Sequence, residues 1–274
     1  MEFRTIVEVK KPLRQIMPFE KMLFVGSCFA DRIGQVFKQE KFQAMVNPYG
    51  VMYNPASILH TVERCIQEKK AAPRVAFLTL GTNHVYLLRE TGEIVDNCQK
   101  RPARLFEEKE LSIEECTDFL RQAIDLLIEQ DENVMVVLTV SPIRYAKYGF
   151  HESALSKATL LLAADKVVKE MPDNTCYFPA YELVNDELRD YRFYKPDMLH
   201  PSDQAVEYVW ERLSEVYLSP EAKEFLREWK PIKEAFAHKP FHPDSEEYKI
   251  FRERIAEKAR ALAVKYPLVL PLEW

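Results

Sequence analysis

Residues 134–140 read VMVVLTV, an uncharged run of apolar and β-branched side chains that stops at Ser141 and Pro142. A strand with one wet face alternates apolar and polar residues, so an unbroken run needs cover on both faces, as in a parallel sheet between helical layers. The rest of the chain repeats the demand. Residues 22–25 (MLFV) and 74–80 (RVAFLTL) are further apolar runs, with shorter ones at 42–46 and 175–178. Between them lie stretches of helical period: Phe29, Ile33, Val36 and Phe37; residues 56–68 after Pro55; Ile113, Cys116, Leu120, Ala123 and Leu127 behind a Ser112/Glu115 capping box; and residues 152–171. Strands alternating with helices predict an α/β fold. A hairpin at 85–88 and 93–95, turning at Gly92, is expected beside the sheet.

A last helix of the alternation is expected over 202–218, capped by Ser202 and carrying Ala205, Val206, Val209, Trp210, Leu213 and Val216 on one face. From Ser219 and Pro220 onward the sequence becomes charged and helical throughout. The expected organisation is an α/β domain over 1–218 and a helical extension over 219–274. That extension is expected to pack on the body through Phe225, Leu226, Trp229, Phe236, Phe241, Phe251 and Leu262.

Composition narrows the partners. A net charge of -5 leaves no basic footprint for nucleic acid, and the chain contains no apolar run of membrane-spanning length and no leader-like N-terminus. The five cysteines are scattered, without a C-x-x-C pair, which fits reduced thiols. A cytoplasmic protein without metal, cofactor, nucleic-acid or membrane partner is the expectation. Cys28 reads as core, Lys157 as a solvated or paired helix residue, and Cys28, His84 and Cys98 match no common zinc spacing. The first strand-to-helix turn lacks both G-x-G-x-x-G and a P-loop, which disfavours a nucleotide site.

That turn reads Gly26-Ser27-Cys28-Phe29-Ala30. It places Ser27 at the carboxyl edge of the sheet, where ligands of open α/β folds bind. Serine there reads either as a helix N-cap or as a nucleophile beside backbone N–H groups that stabilise an oxyanion. A nucleophilic serine needs a base, and Asp197-Met-Leu-His200 offers an imidazole with a carboxylate three residues away, just before a capped helix. His200 is then expected within hydrogen-bond reach of Ser27. Arg144, after the 134–140 run, is a candidate for holding an acidic group of the substrate.

The residues resemble the GSCFA-domain family, a branch of the SGNH or GDSL-like hydrolases. The likeness runs from the GSCFA pentapeptide through residues 47–55 (NPYGVMYNP), Gly81, Asn97-Cys98, residues 139–144 (TVSPIR), Ser156-Lys157 and residues 190–194 (DYRFY) to residues 197–202 (DMLHPS), and spans roughly 1–218. It implies a three-layer α/β/α sandwich of flavodoxin-like type with a five-stranded parallel sheet, and a triad of Ser27, Asp197 and His200. It further implies an oxyanion hole from the Ser27 and Gly50 N–H groups and one asparagine, Asn83 or Asn97. Asn83 completes a glycine-x-asparagine order, but His84 stands where the superfamily has aspartate. The expected function is a serine esterase or O-acyltransferase acting on an ester, O-acetyl esters included, of a carbohydrate or small molecule. The alternative is a catalytically silent module that binds a polar or carbohydrate ligand in the same cleft. Half of the six glycines, Gly26, Gly50 and Gly81, fall at expected strand ends around that cleft.

Overall fold

The computed structural model describes residues 3–267 apart from 71, 97, 99 and 243. The apolar runs form β1 (Lys21–Gly26), β2 (Gln43–Val46), β3 (Val75–Leu80), β7 (Met135–Val140) and β8 (Thr175–Tyr177), which pair in parallel as one five-stranded sheet of order β2-β1-β3-β7-β8. Gly26 lies level with Thr79, and Thr79 with Thr139, so β1, β3 and β7 end at one edge.

Helices cover both faces. Helices α1 (Cys28–Gln39) and α6 (Asp203–Tyr217) bury Phe29, Ile33, Phe37, Val209 and Leu213 against Phe24 and Phe77, whose rings stack at 4.8 Å. On the other face, α2 (Pro55–Gln67), α3 (Ile113–Gln130) and α4 (Phe150–Glu170) enclose Leu23, Val25, Leu78, Val136 and Leu138. The caps follow the sequence: Asn54 accepts from Ser57 N–H, Ser202 from Ala205 N–H, and Ser112 and Glu115 close a reciprocal capping box.

A second, three-stranded antiparallel sheet holds β4 (His84–Leu88) between β5 (Ile94–Val95) and β6 (Phe106–Glu110). The β4–β5 hairpin was expected; β6 was not. Its sequence, FEEKE, has one apolar residue and lies almost wholly at the surface, so hydrophobic periodicity cannot reveal it. The short helical turns α5 (Ala180–Glu182) and 183–188 also lacked a periodic signal.

Helices α7 (Pro220–Ala237) and α8 (Glu246–Lys265) form the C-terminal part. Phe225, Trp229 and Ile232 of α7 pack with Phe19 of the body and with Ile255, Ala259 and Leu262 of α8. Trp229 Nε1 donates to the Gln39 carbonyl at 3.2 Å and Lys233 pairs with Glu40, tying α7 to the end of α1. Two residues expected to be buried are not. Phe241 is 99% exposed in the α7–α8 connection, where no element overlies it, and Phe251 stays at the surface because a helix pair buries only its shared face. Among the described residues no helix is long and apolar enough to cross a membrane.

Candidate active site

Gly26 ends β1 with φ +141°, and a Cβ on it would stand 2.1 Å from the Thr79 carbonyl oxygen. Only glycine permits β1 and β3 to lie this close while the chain turns outward. Ser27 follows as the N-cap of α1: its Oγ accepts from Phe29 N–H at 3.2 Å, and its own N–H donates to Thr79 at 3.2 Å. The side chain is 1% exposed. The oxygen that caps α1 is thus the same one the sequence offers as a nucleophile, at the positive end of a helix dipole.

The Asp197 turn is built by its own carboxylate. Oδ1 accepts from Leu199 N–H at 2.9 Å and His200 N–H at 3.0 Å, and Oδ2 lies 2.7 Å from His200 Nδ1. Met198 doubles the chain back at φ +58°. The two backbone donors and the imidazole hold the Asp197 carboxyl at about 2. Lys195 N–H donates to the His200 carbonyl at 2.8 Å and Arg144 N–H to the Leu199 carbonyl at 3.2 Å, which hangs this loop from the carboxyl end of β7. Among the described residues no hydrogen bond joins His200 to Ser27. The Arg144 guanidinium, 5.3 Å from the Phe150 ring, has no hydrogen-bonding or ion-pair partner among the described residues.

The segment after β3 is held from two sides. Gly81 and Thr82 N–H both donate to the Tyr53 carbonyl, at 2.9 and 2.8 Å, and Lys157 Nζ donates to the Gly81 carbonyl at 2.6 Å. Ser156 Oγ accepts from Asn83 N–H at 3.0 Å and lies 3.1 Å from Thr82 Oγ1. Lys157, expected to be solvated or paired, is instead 3% exposed on the inward face of α4 with Ser153, Ser156 and Leu160. Burial first, then the nearby Arg144 charge, lowers its amine to about 7. Its position between Ser156 and Leu160 on an otherwise inward stripe was the available signal.

The expected oxyanion donors among the described residues bond within the protein. Gly50, at φ +98°, donates its N–H to the Asn47 carbonyl at 2.9 Å, closing a turn. Asn83 Nδ2 donates to the Leu111 carbonyl at 2.8 Å and so holds the junction between β6 and α3. Asn97 lies outside the described residues. Asn47, from the same motif as Gly50, accepts from Gly26 N–H at 3.0 Å. Two tyrosines missed by sequence reasoning stand here. Tyr53 hydroxyl is 3.6 Å from Cys28 Sγ, and its ring meets that of Tyr145 edge-on at 5.9 Å. Cys28 is thus half-buried beside Tyr53 rather than fully in the core.

With the sheet, the helix-capping serine and the aspartate-histidine turn in place, the class is an α/β sandwich with a polar cluster at the carboxyl edge of its parallel sheet. The chain belongs to the GSCFA family: the family model matches residues 21–76 and 70–213, and a model of the GSCFA C-terminal domain matches residues 229–270. No curated protein matches it. Solved structures similar to it include a catalytic mutant of an acetylxylan esterase from Geobacillus stearothermophilus, at 14% identity and TM-score 0.47 over 75% of this chain and 97% of that one. Another is a carbohydrate esterase family 3 protein from Talaromyces cellulolyticus, at 10% identity and TM-score 0.45 over 75% and 98%.

Proposed function

We propose that the protein is a serine esterase with Ser27 as nucleophile, His200 as general base and Asp197 as its orienting carboxylate. The observation that carries the reading is the Asp197 Oδ2 to His200 Nδ1 contact of 2.7 Å, in a turn tied through Leu199 and Arg144 to the sheet edge at which Ser27 sits. A carboxylate on Nδ1 fixes the tautomer that leaves Nε2 to accept a proton. Ser27 Oγ attacks the ester carbonyl while His200 takes its proton. The tetrahedral intermediate collapses as that proton passes to the leaving alcohol, and water releases the acyl group in a hydrolase, a second hydroxyl in a transferase. The substrate class is an ester, O-acetyl esters included, of a carbohydrate or small molecule. Arg144, whose guanidinium has no ion-pair partner among the described residues, is the candidate to receive an acidic group on it.

The second reading is a silent binding module in the same cleft. It draws on the Ser27 hydroxyl, which is buried and accepts from Phe29 N–H rather than bonding to His200. A fluorophosphonate probe with mass mapping separates the two. The esterase labels at Ser27 and turns over p-nitrophenyl acetate above a Ser27→Ala control; a protein that does neither is the binding module.

A further inference from the structure

The Tyr145 hydroxyl is sealed from solvent and bonds to no group among the described residues. Buried hydroxyls are nearly always satisfied, so one left open at the carboxyl edge of the sheet asks what it is kept for. Its surroundings answer in part. A Cβ on Gly81 would lie 3.0 Å from this oxygen, so the absence of a side chain at the end of β3 makes its room. Tyr53 stands edge-on to the Tyr145 ring and reaches Cys28, the residue after Ser27, with its hydroxyl. The hydroxyl thus stands against Gly81 at the end of β3, and Tyr53 links its ring to Cys28, the residue that follows Ser27.

Among the described residues, the donors expected to serve an oxyanion there bond elsewhere: Ser27 N–H to Thr79, Gly50 N–H to Asn47, and Asn83 Nδ2 to Leu111. Four other polar atoms near the edge are unpartnered among the described residues; one of them, Ser57 Oγ, is buried in the first turn of α2. Thr139 sits within β7, level with Thr79 and below the edge. Asn83 Oδ1 is an acceptor and repels an anion. Asn47 Nδ2 belongs to an amide locked by Gly26 N–H on the β2 side.

We propose that the Tyr145 hydroxyl is a catalytic oxyanion donor, hydrogen-bonding the ester carbonyl oxygen as Ser27 attacks it. The inference rests on the reading of Ser27 as nucleophile. As the Ser27 Oγ to carbon bond forms, the carbonyl π pair moves onto oxygen and the phenol bonds to it without giving up its proton. When the intermediate collapses, the pair returns to the carbonyl and the alkoxy bond breaks, its oxygen taking the proton from His200. Burial, with Tyr53 and Cys28 adding to it, pushes the phenol further above its ordinary value, so it remains a donor at working pH. Ser27 and this hydroxyl are both buried, so an ester reaches them only when covering side chains move. Tyr53, 39% exposed, is the member at the surface.

Tyr145→Phe tests the assignment, because it deletes an oxygen that bonds to no group among the described residues. The expected result is a fall in kcat of about a hundredfold with KM on p-nitrophenyl acetate little changed and a melting temperature equal to or above wild type. An unchanged kcat, or a fall accompanied by lost thermal stability, overturns the inference and makes the hydroxyl a packing group. Fluorophosphonate labelling of the wild type separates the two levels. No label on Ser27 overturns the esterase reading and this one together, whereas normal labelling with a fully active Tyr145→Phe overturns this one alone.

Discussion

Lys157 Nζ reaches from the inward face of α4 to the Gly81 carbonyl at the end of β3, across 2.6 Å, and no carboxylate meets it among the described residues. A buried amine held by a carbonyl and the face of the Tyr145 ring, 5.5 Å away, with no counter-charge, is an expensive way to fix a loop. It also makes the loop sensitive to protons.

The amine titrates near 7 in the folded chain against an ordinary 10.5. Between those values the unfolded chain keeps a proton that the folded chain has shed, so stability rises with pH across the window and is flat below it. Relative to Lys157→Met, wild type should gain at most about 1.4 kcal/mol per pH unit there. Urea midpoints of both proteins at about pH 6, 8 and 9 check this; a difference that does not change with pH means the amine stays charged.

Asp197 is held at about 2 by His200 N–H, Leu199 N–H and the imidazole, so it stays ionised throughout the range in which an esterase works. The acid limb of the rate profile should therefore not belong to this carboxyl. Asp197→Asn keeps an oxygen for the backbone donors but removes the charge opposite Nδ1. It should lower kcat by about a thousandfold or more, measured with an aryl acetate, while changing the melting temperature little for a half-exposed pair.

Gly26→Ala and Gly81→Ala should differ in kind. A Cβ on Gly26 would collide with strand backbone at 2.1 Å, so that protein should fail to fold or lose more than about 3 kcal/mol. At Gly81 the neighbours are the Tyr53 carbonyl at 2.8 Å and the Tyr145 hydroxyl at 3.0 Å, which belong to loops that can shift. The protein should fold, with a loss of about 1–3 kcal/mol and a larger proportional loss of activity. Circular dichroism melts beside turnover would show the split, and equal behaviour of the two variants would contradict it.

His60 Nδ1 lies 2.8 Å from Asp96 Oδ1, and that hydrogen bond raises the imidazole above its ordinary 6.5. The folded value exceeds the unfolded one, so the stabilisation is complete below the unfolded pKa and is lost as pH rises through the folded one. Both side chains are about one-third exposed, which limits the effect to roughly 1 kcal/mol or less. Asp96→Asn should therefore lower the melting temperature at about pH 5.5 and leave it nearly unchanged at about pH 8; equal losses at both would refute the charge argument.

The sheet was legible because its central strands are buried on both faces and must be apolar throughout, as residues 134–140 are. Strand β6 was not, because FEEKE pairs at the surface, where backbone hydrogen bonds rather than burial make the strand. In the site, Ser27 was visible through the strand-to-helix turn, and Asp197 with His200 through their spacing. The commitments of Gly50 to Asn47 and of Asn83 to Leu111 were not visible, since which acceptor a donor finds depends on chain segments far apart in sequence. Lys157 failed for a related reason: one charged letter on an apolar stripe reads as a solvated residue until the carbonyl it meets is known.

Tyr53 touches three loops of the site at once, those that follow β1, β3 and β7. Its carbonyl takes the two N–H groups that follow β3, its hydroxyl meets the cysteine that follows β1, and its ring leans on the tyrosine that follows β7. Loops joined through one residue do not vary independently. Changes in any two of them should combine non-additively, and drift in one loop is constrained by the other three, so the rim of this cleft evolves and opens as a single mechanical piece.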